Sequence, residues 1–159
     1  MKKHIVRVAA VCMLTVFVVV AAGCGGGSGG SGLHRLVGLT PDATVKTFFT
    51  AAKNGNLEEA SLYVANETKS NAQTLVKFLT GQNGMEQIKN SNIISIKNVV
   101  AQGNYAVVMA TLQPDMNSLN LVVRPVGLEK VNDEWYIVDF DQIYNNAKYA
   151  ALKALLEKI

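Results

Sequence analysis

The side chains that carry most enzymatic chemistry are few in this chain and gather at one end of it. Two of its 159 residues are His and two are Cys. They are His4, Cys12, Cys24 and His34, so neither type occurs after residue 34. From residue 40 onward the chain therefore lacks the commonest general base near neutral pH. It also lacks the Ser-His and Cys-His nucleophile pairs and the His/Cys zinc sites. Asp and Tyr remain as acid–base candidates. Asp139 alternates with Trp135 and Ile137, which puts the three on one face of a strand. If that face lines a cavity, Asp139 is a functional carboxylate. The favoured reading is plainer: an exposed or capping Asp at a strand end, with Tyr105 and Trp135 filling the core. Asp133 and Glu134 read as solvated turn residues. Residues 81–84, Gly-Gln-Asn-Gly, lack the spacing and the Lys of a phosphate loop, and no acidic run resembles a calcium loop. No catalytic residue, metal site or cofactor is expected.

The isolated thiol of Cys24 sits in residues 20–32, VAAGCGGGSGGSG. Before it come a basic start (Lys2, Lys3, Arg7) and sixteen uncharged residues, 8–23, rich in Val and Ala. That run is short for a spanning helix, which needs roughly 20 apolar residues, and its pattern is that of a secretory signal peptide. Ala21 and Gly23 supply the small residues expected before a cleavage point at Cys24. The stretch AAGC before a Gly/Ser tract resembles the lipobox of bacterial lipoproteins, with Ala21 where that family prefers Leu. The resemblance implies diacylglycerol on the Cys24 sulfur, removal of residues 1–23, and often a further acyl group on the new amine. Stable anchoring takes more than one acyl chain, which a lipidated Cys provides at a single point. Residues 25–32 then read as a flexible tether with a mean reach of roughly 14–17 Å. Gly25 follows the Cys in place of the Asp that resembles an inner-membrane retention signal, so the anchor is expected in the outer membrane where one exists.

Charge divides at the same point. The formal net charge of +3 lies on Lys2, Lys3 and Arg7. From Cys24 onward twelve Lys/Arg balance twelve Asp/Glu, which leaves no basic field for nucleic acid. With Cys12 in the signal, the domain has no thiol for a disulfide and must rely on its core.

The elements that would position any site follow from periodicity. Thr40-Pro41-Asp42 predicts a helix start, with Thr as cap, Pro at the first turn and Asp at the positive end of the dipole. Val45, Phe48, Phe49 and Ala52 recur at helical spacing, and Gly55 suits the left-handed cap. Asn56 with Glu59 predicts a second, short helix ending near Val64. Residues 71–80 predict a third, with Leu75, Phe78 and Leu79 on one side. Strands are predicted over 93–100, 105–112, 119–131 and 134–140. Pro125 cannot donate a ladder hydrogen bond, so it places its strand at an edge or a bulge. Residues 141–159 predict a C-terminal amphipathic helix capped by Asp141. Ile143, Ala147, Ala151 and Leu155 form one apolar line, and Leu152, Leu156 and Ile159 a second. Helices before a strand meander make an α+β layout.

The order of TPDATVKTFFTAAKNGNLEEA, GNYAVVMATL and VNDEWYIVDF over residues 40–140 is similar to the nuclear-transport-factor-2-like (cystatin-like) superfamily, and within it to small bacterial lipoprotein domains described as lumazine-binding-like. The matched residues are Gly55-Asn56-Leu57-Glu58-Glu59-Ala60 and Asp133-Glu134-Trp135-Tyr136-Ile137-Val138. The resemblance implies N-terminal helices packed on a curved four-stranded antiparallel sheet, a cystatin-like cone with a cavity. Phe49, Tyr105, Trp135 and Asp139 are the candidate pocket residues. The tail after Phe140 goes beyond the shorter members. It is expected to pack on the domain's own sheet, with a dimer contact or a lid on the cavity as alternatives.

The expected organisation is therefore a lipoprotein signal peptide over 1–23, a lipidated Cys and Gly/Ser-rich linker over 24–39, the domain over 40–140, and the C-terminal helix over 141–159. The expected function is a non-catalytic, lipid-anchored, extracytoplasmic binding or interaction module of the cell envelope. Its partners would be the membrane, through the lipid, and a small apolar ligand or an envelope protein. Two alternatives stand beside it. One is a dehydratase- or isomerase-like enzyme with Asp139 as base and Tyr105 as donor. The other is a structural envelope protein that forms a homodimer through the C-terminal helix.

Overall fold

Pro41 fixes the first turn of α1 (Pro41–Lys53), and the spacing of Val45, Phe48, Phe49 and Ala52 buries one side of it. The computed structural model describes residues 33–66, 72–80 and 88–159. The signal, Cys24 and the tether lie outside the described residues. So do the phosphate-loop comparison at 81–84 and the side chains of Phe78 and Leu79. Thr40 stands at the N-cap position, but its side chain caps no backbone amide. The helix ends as expected: Gly55 takes φ +80°, and the Asn56 amide reaches back to the Ala51 carbonyl at 2.9 Å. The chain then restarts as α2 (Leu57–Ser61), whose Glu59 amide donates to Asn56 Oδ1 at 3.3 Å. Helix α3 (Ala72–Thr80) buries Leu75 and Val76.

Strands β1 (Asn92–Gln102), β2 (Tyr105–Gln113), β3 (Val122–Val131) and β4 (Glu134–Ile137) pair antiparallel in chain order. The α+β layout expected from the sequence is the one observed. Two register shifts in β1, between Ile93 and Ser95 and between Asn98 and Val100, bend that strand. Asn132 and Asp133, both with positive φ, make the two-residue β3–β4 turn. Pro125 sits on an inner strand, opposite Met109. Strand β4 pairs only with Leu128–Val131, so β3 is locally an edge at Pro125. Strand β4 also stops at Ile137, short of the expected 140, because Asp139 already caps the next helix.

Alternation along the strands sends residues to two cores. Val108, Ala110, Leu112, Val126, Leu128 and Ile137 face α1 and α2, around the fully buried Phe48 and Tyr63. Burying a side chain of the size of Phe48 stabilises by about 1.5–3 kcal/mol. Val107, Val138 and Tyr105 belong to a second core on the opposite face. The C-terminal segment covers that face, as one of its expected arrangements had it, but not as one helix. It forms α4 (Phe140–Asn145), a single 3₁₀ turn (Ala147–Tyr149) and α5 (Ala150–Leu156). Asn146 is extended, and its side chain accepts from the Lys148 amide at 3.0 Å. This break resets the helical phase. Ile143, Tyr149, Leu152 and Leu155 are buried, whereas Ala147 and Ala151, expected on the apolar line, are exposed. The cap of α4 is Asp139 rather than Asp141, its Oδ1 accepting from the Asp141 amide at 2.8 Å.

The two sheet edges differ. On β4 the Ile137 amide donates to the Tyr63 carbonyl and the Ala65 amide to the Ile137 carbonyl, each at 2.8 Å. The outer edge of β1 makes no comparable backbone pairing among the described residues.

Candidate functional site

The four pocket candidates are not brought together. Phe49 is buried on the inner side of α1 and borders a groove of about 410 Å³ between α1 and β1. Tyr105 lies on the other face of the sheet, where its hydroxyl donates to the Lys148 carbonyl at 3.0 Å. Trp135 packs at the margin of the main core with the Lys130 ammonium 5.9 Å from its ring centroid. Asp139 is buried, and its carboxylate is engaged as the α4 cap.

A different group of residues converges at the sealed edge of the sheet. The segment 33–39 is a strap lying against β4. Arg35 Nη1 pairs with Glu134 Oε2, and Nη2 donates to the Trp135 carbonyl at 2.5 Å. The guanidinium lies 4.5 Å from the Tyr136 ring centroid and 5.3 Å from that of Tyr63, within cation–π range. The Leu36 amide donates to Tyr63 Oη at 3.1 Å and the Gly38 amide to Glu134 Oε1 at 2.7 Å. Glu134 is therefore not the solvated turn residue expected. The Gly38 amide, and then Arg35, hold its carboxyl below the ordinary 4.5.

Beside the strap, on the second face of the sheet, Glu129 is 5% exposed. It accepts from Tyr149 Oη at 3.1 Å and pairs with the Lys148 ammonium at 2.9 Å. A buried carboxylate so paired is kept in place by its partners, and loss of either leaves it costly. Burial, first of all, pushes the Tyr149 phenol above its ordinary 10.0, so it stays a neutral donor. Glu129 follows from β3 and Lys148-Tyr149 from the turn after Asn146, so this network ties the C-terminal segment to the sheet.

Between these two clusters lies a cavity of about 370 Å³. Arg35 forms one wall, Glu129, Lys148 and Tyr136 another, and Asn66 and Asn132 stand at its borders. Sequence reading missed it because its residues are scattered from 35 to 148. The available signals were faint: one Arg between Gly-rich and apolar residues, and one Glu in β3, which also carries Arg124 and Lys130. Among the described residues no group of three or more His, Cys, Asp or Glu is placed to hold a metal.

No family model and no curated protein matches the chain. A solved structure similar to it is that of a SEC-C motif containing protein from Rhodopseudomonas palustris, with a TM-score of 0.43 and 10% identity. The match covers 63% of this chain and 76% of that one, a likeness too slight to carry an argument about function.

Proposed function

We propose that this protein is a lipid-anchored, extracytoplasmic binding module of the bacterial cell envelope, without catalysis of its own. The observation that carries the reading is the docked strap. The residues that follow the Gly/Ser tract are clamped to the domain through Arg35, and the same Arg35 walls a cavity. The chain bearing Cys24 thus enters the fold beside a ligand-sized space. A module whose task is to hold a molecule near a bilayer needs that juxtaposition. The enzyme alternative draws no support from the geometry, since Asp139 and Tyr105 are each committed to a backbone partner elsewhere.

The test is intact-mass analysis and membrane fractionation of the full chain expressed in a bacterial host, beside Cys24→Ser. The wild type is expected to lose residues 1–23, gain acyl mass and sediment with membranes; the variant should keep residues 1–23 and gain no acyl mass. Equal, unlipidated masses for both would overturn the anchored reading.

A further inference from the structure

The cavity beside the strap has a chemistry that selects among ligands. We propose that it binds a neutral, hydroxyl-rich molecule of one or two rings, a sugar unit. This deepens the binding-module reading and rests on it.

Among the described residues its charges are already matched. Arg35 is neutralised by Glu134, and Lys148 by Glu129. A charged ligand would have to break one of these pairs, and the buried Glu129 would then lose a partner it needs. Among the described residues the uncommitted hydrogen-bonding side chains at its border are uncharged. The side-chain amides of Asn66 and Asn132, both exposed at the cavity's border, bond nothing within the described residues. Each carboxamide offers two donors and an acceptor, the mixed set that a hydroxyl, itself donor and acceptor, can satisfy. A purely apolar ligand would cover these groups and return no hydrogen bonds. The remaining wall includes Leu62 and Val131, which suit the C–H face of a sugar ring. The volume, about 370 Å³, is at the small end for ligand sites.

The experiment is calorimetric titration of the full chain with two neutral disaccharides, maltose and di-N-acetylchitobiose, with glucose phosphate and decanol as charged and apolar controls. The comparison protein is the double variant Asn66→Ala/Asn132→Gly. Glycine tolerates the φ of +50° at 132 and removes the side chain. Saturable heat is expected with at least one disaccharide, weakened about tenfold or more in the double variant, as loss of one or two hydrogen bonds gives. An unchanged melting curve will show that the variant is folded. Flotation of Cys24→Ser with phosphatidylcholine vesicles, with and without a neutral glycosyl diacylglycerol, then separates sources. Capture only by the glycolipid assigns the sugar to a lipid headgroup, and heat without capture assigns it to free glycan. No heat with either disaccharide, equal affinity in the double variant, or preference for a control would each overturn the proposal. The anchored reading is judged separately by acyl mass on Cys24, so the two can fail independently.

Discussion

Arg35 and Glu134 are 99 residues apart in the chain and side by side in space, and their ion pair helps to hold the strap. The pH dependence follows from the direction of the Glu134 shift. Its folded-state pKa lies below the ordinary 4.5, so the carboxylate contributes stability that is complete above 4.5. That contribution is lost as pH falls through the folded value. Glu134→Gln should therefore melt below the wild type near neutral pH, and the gap should narrow at acidic pH below 4.5. Thermal melts of both proteins across that range check it, and a gap that stays constant would assign the pair no role in holding the strap. Residue roles of this kind were the least legible in the sequence. Asp139 was readable as a possible cap because it precedes a helix start. Nothing local to Glu134 could reveal a partner at position 35, because the pairing depends on where the whole chain carries the strap.

Elements were more legible, since periodicity is a local property. Helix α1, the left-handed Gly55 and the four-strand meander were all readable from spacing and turn residues. The C-terminal segment was half legible: apolar enough to need a surface, but with its phase hidden by the break at Asn146. The packing of this segment explains Gly127. A Cβ added there would lie 2.7 Å from Ile143 Cδ1 and 3.1 Å from Leu152 Cδ2, both buried. Gly127→Ala should cost about 1–3 kcal/mol by overpacking. Urea unfolding of the variant measures this. A cost near zero would mean that the ends of the Ile143 and Leu152 side chains swing aside to admit the methyl group.

At the scale of the molecule, the sheet lies between helices on both faces, with one edge sealed and the other open. Lys97 stands exposed near the middle of the open strand β1, and a charge there guards an edge against pairing with another copy. Lys97→Val should increase self-association in sedimentation velocity at high concentration, and a variant that sediments as the wild type does would leave the two bends of β1 as sufficient protection. The need of the apolar tail for a surface was visible in the sequence, but the face it covers was not, because that depends on which way the tail turns after Asp139. The docked strap also has a mechanical consequence. A pull from the N-terminal side first loads the Arg35 contacts with Glu134 and Trp135, not the helix that follows. When they and the Leu36 and Gly38 amide bonds behind them yield, the residues from Arg35 to Thr40 can straighten to at most roughly 17 Å, at about 3.3–3.6 Å per residue, before force reaches α1. The clamp is thus a weak link placed ahead of the core, able to break and re-form while the domain stays folded.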